Sequence, residues 1–377
     1  MSMTPDFLVV GTGLMGATVA RTLTDAGHTV VVVERRSCIG GNVHDYVHDC
    51  GIRMHAHGPH YFRTSSDRVW QFVQRFADFY RYEARVLSRI DGVLEGWPVR
   101  ASFVSQRGFG QDDISSDTTE RNFESAMLAR MPRPVFDLFV RGYTEKQWGV
   151  PTHTLDERLA RRIPVRPDDD PRLTPLAKYQ GLPMHGYTSM ITAMLDGIPV
   201  DLGVDYLANR EHLKARRLTI FTGPIDEYFG FSLGRLKYRA QQRTTTYHPD
   251  IDWYQPVGQV NEPQHAAGAH IRTLEWKHLM PPGAATLVVG TLITRETPFT
   301  PETPDEYEYP FPDKVNGALY RQYRRLASNE PETLICGRLG EYQYYDMDQT
   351  IARAQRLVAT ILRRDQATID PPPHPPC

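Results

Sequence analysis

The first strong pattern in the chain is an uninterrupted apolar run, Phe7–Val10, followed by glycines and then by apolar residues at helical spacing over 14–23. The run predicts a buried parallel strand, and the spacing after it predicts a helix. A second strand is predicted at 29–33, where every residue is β-branched, and it ends in Glu34. The chain is therefore expected to begin with a βαβ unit.

Three glycines in this unit, Gly11, Gly13 and Gly16, have the G-x-G-x-x-G spacing of a dinucleotide-binding turn. They permit a tight turn, close approach of a pyrophosphate and close packing of the helix on the strand, respectively. The helix amino terminus offers free N–H groups to the phosphates. Glu34 lies about 20 residues further on, where an acidic side chain hydrogen-bonds the ribose. An ordinary βαβ turn is the alternative, and the position of Glu34 argues against it.

A second pair of glycines follows the acidic residue, in the segment Gly40-Gly41-Asn42. It indicates a second close approach between backbone and ligand. A dinucleotide larger than a nicotinamide one would use that contact, so the sequence predicts FAD. A plain turn is the alternative.

Histidines are crowded into the stretch that follows. Gly58-Pro59-His60 predicts a rigid turn that presents His60, either for chemistry or as a structural histidine. The spacings of the crowded histidines match no ordered zinc pattern, so no metal site is predicted. The others in this stretch are His44, His48, His55 and His57.

The remaining patterns define the fold class. Helical periodicity predicts helices at 67–82, 122–131, 134–141, 187–195 and 347–362. Alternation predicts a hairpin at 85–98 that turns at Asp91-Gly92, and strands at 217–222, 236–247, 257–260, 271–276, 286–294 and 334–337. A polar stretch at 105–117 predicts a surface loop. The prediction is an α/β protein: a Rossmann-like FAD-binding domain, an inserted helical domain and a largely antiparallel β-sheet domain.

The domain boundaries follow from this order of elements. The FAD-binding domain is expected at 1–82, about 200–235 and 330–365; the helical insertion at about 83–150; and the substrate domain at about 151–199 and 236–329. Residues 366–377, which are rich in proline, are expected to form a disordered tail.

Composition narrows the class of protein. The chain has 377 residues, 40% hydrophobic and 23% charged, as expected of a globular protein with two or three domains. The net charge of -2 gives no broad basic surface for nucleic acid. No apolar run is long enough to span a bilayer. Four cysteines without paired or metal spacing favour the cytoplasm, where thiols stay reduced.

Two segments carry candidate substrate contacts. Residues 141–149 are aromatic, charged and flanked by glycine, which suits the wall of a substrate pocket. Residues 161–166 contain three arginines and precede an acidic, proline-containing stretch, which predicts a mobile loop that presents cations. A solvated surface is the alternative for such an arginine cluster.

In the order of these motifs the chain resembles the UDP-galactopyranose mutase family, flavoenzymes that interconvert the pyranose and furanose forms of a nucleotide sugar. The resemblance extends from Asp6 to about Leu362. The segments that carry it are the glycine fingerprint with Gly40-Gly41-Asn42, then 58–60, 142–148, 162–166, 222–226, 337–339 and 341–347.

The resemblance implies an isomerase that uses reduced FAD, whose N5 forms a covalent adduct with the sugar while the nucleoside diphosphate leaves and returns. The implied catalytic residues are His60, beside the isoalloxazine, and the diphosphate-binding Arg162 and Arg272. The implied substrate-binding residues are Phe139, Tyr143, which stacks on the base, Thr144, Trp148 at the sugar, Arg162, Arg272, Tyr309 and Tyr344. The implied cofactor-binding residues are Gly11, Gly13, Leu14, Gly16, Glu34, Arg35, Gly41, Asn42, His60, Arg338, Tyr345, Asp346 and Met347.

The resemblance also implies partners and a setting. They are a nucleotide-sugar substrate, an external reductant such as NAD(P)H or a reductase, a homodimer, and a place in cell-wall or natural-product glycan biosynthesis. Two other interpretations stay open: an FAD-dependent oxidoreductase of the amine-oxidase type, and a non-catalytic protein that binds FAD or a nucleotide sugar. The two arginines favour the mutase, because an oxidoreductase has no departing diphosphate to stabilise.

The chain departs from the family pattern at four positions on the substrate side: Arg63, Ala84, Arg100 and Leu173. A pocket that hydrogen-bonds a hydroxyl discriminates strongly, so the loss of polar partners can change the preferred sugar. These departures favour a less hydroxylated sugar, such as a 6-deoxyhexose, or a dTDP or GDP carrier.

Overall fold

The computed structural model describes residues 4–110, 114 and 121–369 of the chain. Its strands are β1 Phe7–Val10, β2 Val30–Glu34, β3 Asp45–Val47, β4 Arg53–His55, β5 Phe62–Thr64, β6 Phe79–Arg81, β7 Val86–Ile90, β8 Val93–Trp97, β9 Tyr179–Pro183, β10 Val200–Leu202, β11 Leu218–Phe221, β12 Tyr238–His248, β13 Gln259–Asn261, β14 Arg272–Glu275, β15 Thr291–Phe299, β16 Tyr309–Pro310 and β17 Thr333–Ile335.

The helices alternate with these strands along the chain. They are α1 Leu14–Asp25, α2 Asp67–Gln74, α3 Ala101–Gln106, α4 Phe123–Leu128, α5 Arg133–Phe136, α6 Gly142–Trp148, α7 Gly186–Met194, α8 Tyr206–Asn209, α9 Ile225–Tyr228, α10 Lys314–Ala327, α11 Gly337–Gly340 and α12 Met347–Ile369. A π-helical turn, Asp137–Arg141, joins α5 to α6, and a 3-10 turn, Glu157–Arg162, follows α6. No helix within the described part of the chain is long and apolar enough to cross a membrane.

A five-stranded parallel sheet, in the order β10-β2-β1-β11-β17, forms the nucleotide-binding half. Val9 at its centre pairs with Val32 and Ile220, and all three are buried. Helices α1 and α12 pack against each other beside this sheet. The predicted Rossmann-like unit is confirmed, and so is the return of the 217–222 strand to the same sheet.

A seven-stranded sheet, in the order β16-β12-β15-β14-β13-β7-β8, forms the second half. Every neighbouring pair in it is antiparallel except β13 and β7. The predicted antiparallel sheet is therefore confirmed. The hairpin β7–β8, which the expected boundaries assign to the helical insertion, belongs to this sheet through β13. The domain boundaries themselves stay a prediction.

Several elements differ from the predicted ones. The helix expected at 67–82 ends at Gln74, and Phe79–Arg81 instead pairs with β9, because a distant strand satisfies its backbone groups. The strand expected at 286–294 begins at Thr291 and extends to Phe299, since its length is decided by pairing with β12. The last helix continues to Ile369, so the first residues of the expected 366–377 tail are helical.

Two predicted irregular segments reach beyond the described residues. In the expected 105–117 loop, Ser105 and Gln106 belong to α3, while residues 111–113 and 115–117 lie outside the described part. Residues 370–377 of the expected tail lie outside it as well.

Candidate active site

The glycine-rich turn after β1 has the close backbone contacts that its sequence predicts. Gly11 has a φ of +108°, and a Cβ at Gly16 would collide with the Gly11 carbonyl oxygen. The Glu34 carboxylate accepts hydrogen bonds from the backbone nitrogen and hydroxyl of Thr12, at 2.8 and 2.9 Å. The acidic side chain therefore lies directly beside the turn, at the carboxyl ends of β1 and β2.

The second glycine segment, 40–42, packs against the glycine-rich turn after β1. Gly41 has a φ of +54°, and a Cβ there would lie 2.8 Å from the Cα of Gly13. This contact brings the 40–42 segment against the glycine-rich turn after β1. The close approach of that segment to a ligand stays a prediction. Asn42, the next residue, lines both cavities described below.

An open cleft of about 1130 Å³ lies along these turns. Arg35 at its rim forms ion pairs with Glu227, at 2.8 Å, and Asp305, at 2.9 Å. The cleft lies at the carboxyl ends of parallel strands, where nucleotides bind in folds of this type. The predicted cofactor residues that line it are Gly11, Gly13, Leu14, Glu34, Arg35, Gly41, Asn42, Arg338 and Met347.

A second cavity of about 720 Å³ continues from the cleft, and the two share Asn42, Arg338 and Met347 in their walls. It is the place where a ring system at the far end of a bound dinucleotide would meet a substrate. The predicted site residues that line it are Asn42, His60, Arg272, Tyr309, Arg338, Tyr344, Tyr345, Asp346 and Met347.

His60 is held in this cavity by its backbone. Its N–H donates to Nδ1 of His55, at 3.0 Å, and its carbonyl accepts from the Tyr187 hydroxyl, at 2.9 Å. Burial lowers the pKa of the imidazole well below its usual value, and the charges of His55, Arg338 and His57 lower it further. The ring is therefore neutral near pH 7, and its buried Nδ1 has no protein hydrogen-bond partner among the described residues.

Arg272 is anchored by a network of buried ion pairs. Its Nε contacts Glu296, whose other oxygen accepts from Arg243 at 2.9 Å. Arg243 also makes a bidentate contact with Glu308, at 2.7 and 3.0 Å. Burial alone would lower the pKa of the Arg272 guanidinium, but the charge of Glu296 raises it well above its usual value. Arg272 is therefore a fixed, permanent cation.

Glu308 extends the network to His57, at 3.4 Å. Burial would raise the pKa of the Glu308 carboxyl, but hydrogen bonds from His57 and Arg243 hold it below its usual value. Arg243, Glu296 and Glu308 were not predicted as site residues. For Arg243 the available signal was its charge within the predicted 236–247 strand, where an inward charge requires a partner. Glu296 and Glu308 lie outside every predicted strand, so no local pattern marked them.

Aromatic rings and cations meet at Tyr309 and Tyr344, which line the second cavity. Tyr309 and Tyr344 are stacked, with ring centroids 6.2 Å apart. The Arg162 guanidinium lies 3.1 Å from the centroid of the Tyr344 ring, and that of Arg338 lies 4.7 Å from it. The structure thus brings Arg162 to the same site as Arg272, although they are far apart in sequence.

The predicted nucleobase and sugar residues lie deeper, outside the walls of both cavities. Burial raises the pKa of the Tyr143 hydroxyl, and the nearby Arg272 charge opposes that rise. Phe139 is 3% exposed and stacks beside Trp97, at 6.4 Å. Trp148 packs edge-on against Phe311, at 5.7 Å. Thr144, on the same helix, is also buried.

The four departures from the family pattern do not lie together. Arg63 lines the second cavity and pairs with Asp346, at 3.2 Å. The Ala84 carbonyl accepts a hydrogen bond from the Leu173 N–H, at 2.8 Å. Arg100 lies against Gly96 of β8. Arg63 is thus the departure that directly lines the cavity.

The residues around the cleft and the cavity fit FAD. The Gly13–Gly41 contact forms a cradle that a single Cβ would fill, and Glu34 lies where a ribose is bound. The unpartnered Nδ1 of His60 lies in the continuing cavity. These features fit a flavin dinucleotide. Within the described ranges, no three potential metal-ligating side chains, the crowded histidines included, lie close enough together to hold a metal ion.

Comparisons with known proteins agree with this geometry. A family model for UDP-galactopyranose mutase matches residues 138–344, and a model for an NAD(P)-binding Rossmann-like domain matches residues 9–76. A Klebsiella pneumoniae protein named "Probable UDP-galactopyranose mutase" is 30% identical over 93% of this chain and 92% of its own length. The dTDP-fucopyranose mutase of Escherichia coli is 26% identical over 92% of this chain and 96% of its own length.

The fold is also found among solved structures. The crystal structure of reduced UDP-galactopyranose mutase superposes with a TM-score of 0.71, at 14% identity and over 98% of both chains. The resemblance seen in the motifs is confirmed by a family model that spans more than half of the chain and by a relative of nearly equal length. The chain therefore belongs to the UDP-galactopyranose mutase family.

Proposed function

We propose that this protein is a flavin-dependent isomerase that interconverts the pyranose and furanose forms of a nucleotide-linked hexose. The substrate is UDP-galactose or a related sugar, with a dTDP- or GDP-linked 6-deoxyhexose as the related class. The observation that carries the proposal is the position of Arg272, beside Tyr309 and Tyr344, in a cavity that continues from the dinucleotide cleft.

The cations of the site suit a departing diphosphate. Arg272 cannot lose its proton, and Glu296 holds it in place, so it can stabilise the negative charge that develops as the glycosidic bond breaks. Arg162 supplies a second guanidinium, which lies against the Tyr344 ring. Tyr309 and Tyr344, whose stacked rings line the same cavity as Arg272, carry hydroxyls that can donate hydrogen bonds to phosphate oxygens. An oxidoreductase does not require these cations and hydroxyls, because its reaction releases no diphosphate.

The cofactor in this proposal is FAD, which is active when reduced. When bound and reduced, the flavin supplies a nucleophilic nitrogen for the anomeric carbon. Neutral His60 lies where it can hydrogen-bond the ring system without adding a positive charge. The segment that bears Arg162 would exclude water from the site when it closes. The electrons come from an external reductant such as NAD(P)H or a reductase.

The sugar class rests on the substrate-side departures. By the resemblance, Ala84 stands in place of a substrate-side asparagine, so the chain lacks an amide that could hydrogen-bond a sugar hydroxyl. In the structure Ala84 is buried and lines neither cavity. The relationship to the dTDP-fucopyranose mutase of Escherichia coli is consistent with that loss. A homodimer and a cytoplasmic location stay predictions.

The test uses the FAD-loaded enzyme under dithionite and a panel of UDP-galactose, dTDP-fucose and GDP-fucose. Chromatography and NMR of the products are expected to show a furanose isomer of one substrate, with no net change in its redox state. The same enzyme in its oxidised form is the control and should be inactive. A colourless protein that takes up no flavin, or a product of altered oxidation state, would contradict the proposal. A clear preference for UDP-galactose would reject the 6-deoxy assignment alone.

A further inference from the structure

One row of polar side chains crosses the large sheet. Cross-strand pairing places its members opposite one another on six neighbouring strands, so all of them project from the same face. From β12 to β8 the row consists of Arg243, Glu296, Arg272, Asn261, Ser88 and Glu95.

The first half of this row is the ion network that holds Arg272. The second half continues past it with two neutral residues, Asn261 and Ser88, and ends at Glu95. Gln259 donates to the Asn261 side chain at 2.8 Å and so fixes the orientation of that amide. Asn261 pairs with Arg272 on one side and with Ser88 on the other.

Ser88 is the residue of this row whose side chain is buried without a hydrogen bond to another described residue. The residue is 1% exposed, and its hydroxyl has no hydrogen-bond partner within the described ranges. Its neighbours on the same face of β7, Val86 and Ile90, are apolar and buried. A buried hydroxyl without a partner costs about 1–3 kcal/mol. An alanine would avoid that cost, so the position calls for an explanation beyond packing.

The helical segment that packs over this face of the sheet indicates which groups surround the Ser88 hydroxyl. Tyr143 of α6 lies beside Arg272, and Phe139, one turn earlier, stacks beside Trp97 of β8. The helical segment therefore follows the row from Arg272 past its neutral members, Asn261 and Ser88, towards β8. The two aromatic rings and the polar row face each other across the same interface.

The spacing between strands gives the distances between residues across this interface. Neighbouring strands lie about 4.8 Å apart, so Ser88, two strands from Arg272, is about 10 Å from it at the backbone. A nucleoside diphosphate whose phosphates bind Arg272 would place its nucleoside over Asn261 and Ser88. We propose that the Ser88 hydroxyl hydrogen-bonds the nucleoside of the substrate and thereby helps to select the nucleotide carrier. This inference rests on the proposed function and deepens it.

The test measures binding to the oxidised FAD-loaded enzyme by calorimetry, with UDP, dTDP, GDP and inorganic pyrophosphate as probes. In Ser88→Ala, we expect the tightest of the three nucleotides to bind about three- to tenfold more weakly, as for one lost hydrogen bond. Pyrophosphate, which has no nucleoside, should bind as in the wild type. The melting temperature without ligand should stay the same or rise, because an unsatisfied hydroxyl is gone.

Two further variants sharpen the result. Ser88→Cys keeps the shape but offers only a weak donor, so its affinity should fall between those of the wild type and Ser88→Ala. Ser189→Ala, at an exposed position on α7, should change nothing. Unchanged nucleotide affinity in Ser88→Ala, or an equal loss for pyrophosphate, would overturn the inference and leave the proposed function standing. A wild-type enzyme that binds none of the nucleotides would overturn both.

Discussion

The dinucleotide cleft is shaped mainly by backbone, whereas the substrate cavity is shaped by charged side chains from distant strands. In the cleft, Gly13 and Gly41 touch through their backbones, and one acidic side chain, Glu34, completes the turn. In the cavity, Arg272 takes its position from Glu296, and Glu296 is shared with Arg243. The cleft is therefore sensitive to added atoms and the cavity to removed charges.

This difference follows from what each region binds. A pyrophosphate held by backbone N–H groups requires close approach, which any side chain would block. A diphosphate that leaves and returns requires fixed positive charge, which a buried guanidinium can supply only if a carboxylate balances it. Substitutions can test each half of the contrast separately.

The largest effect is expected from Arg272→Ala. It removes the anchored cation and leaves the fully buried Glu296 without one of its two partners. Loss of one member of a buried pair costs about 3–5 kcal/mol of stability. Loss of a group that stabilises the developing charge costs about 10²- to 10³-fold in rate, which we expect in kcat/KM for the favoured substrate. Flavin absorbance should be retained. Arg216→Ala, which removes an exposed pair with Asp6, is the control.

Gly41→Ala should damage the cleft and spare the cavity. Both Gly41 and Gly27 have positive φ angles, but only at Gly41 would a Cβ meet another backbone atom, while nothing lies within 4 Å at Gly27. Both alanines carry a backbone cost of about 1–2 kcal/mol. We therefore expect Gly41→Ala alone to lose at least about tenfold in FAD affinity, measured by flavin fluorescence. Equal loss in the two variants would refute the close-approach argument.

The histidines under the cavity predict a loss of stability in acid. Burial lowers the pKa of His55 to about 4, so the unfolded chain binds a proton below pH 6.5 that the folded chain does not. The contribution of neutral His55 is complete above pH 6.5 and is lost as the pH falls towards 4. Between pH 7 and pH 5 it amounts to about 2 kcal/mol.

Urea unfolding at pH 5, 6, 7 and 8 would measure this loss. His55→Gln should flatten the decline by about 2 kcal/mol, while the exposed His153→Gln should leave it unchanged. His57 and His60 have pKa values that burial lowers in the same direction, so some decline should remain in His55→Gln. An unaltered pH dependence in that variant would show that His55 is not kept neutral.

The smallest effect is expected at the rim of the cleft. Arg35 pairs with Asp305, whose side chain is 66% exposed, across the rim of the cleft. Exposed pairs contribute at most about 1 kcal/mol, so Asp305→Asn should speed FAD release by no more than about fivefold. Glu302→Gln, at an exposed position nearby without an ion pair to Arg35, serves as the comparison. A much larger effect would mean that Asp305 contributes to the cleft itself.

The sequence by itself determined the nucleotide-binding half. An apolar run, three spaced glycines and Glu34 lie within one local segment, and local spacing is sufficient to specify a strand, a turn and a helix. The second glycine pair and the turn that bears His60 could also be predicted from the sequence, because their conformations depend on neighbouring residues.

Only the tertiary structure decided how the substrate cavity is held together. The ion network draws on three strands, which carry Arg243, Glu296 and Arg272. No local sequence pattern predicts which of these inward-facing charges form ion pairs with each other. The same is true of the hairpin β7–β8, whose own pattern was clear but whose attachment to β13 placed Ser88 in the polar row. Contacts within helices and turns connect residues a few positions apart in the sequence, so local patterns predict them. Strand register is set by partners that are distant in the sequence, and it is therefore defined only once the sheet has formed.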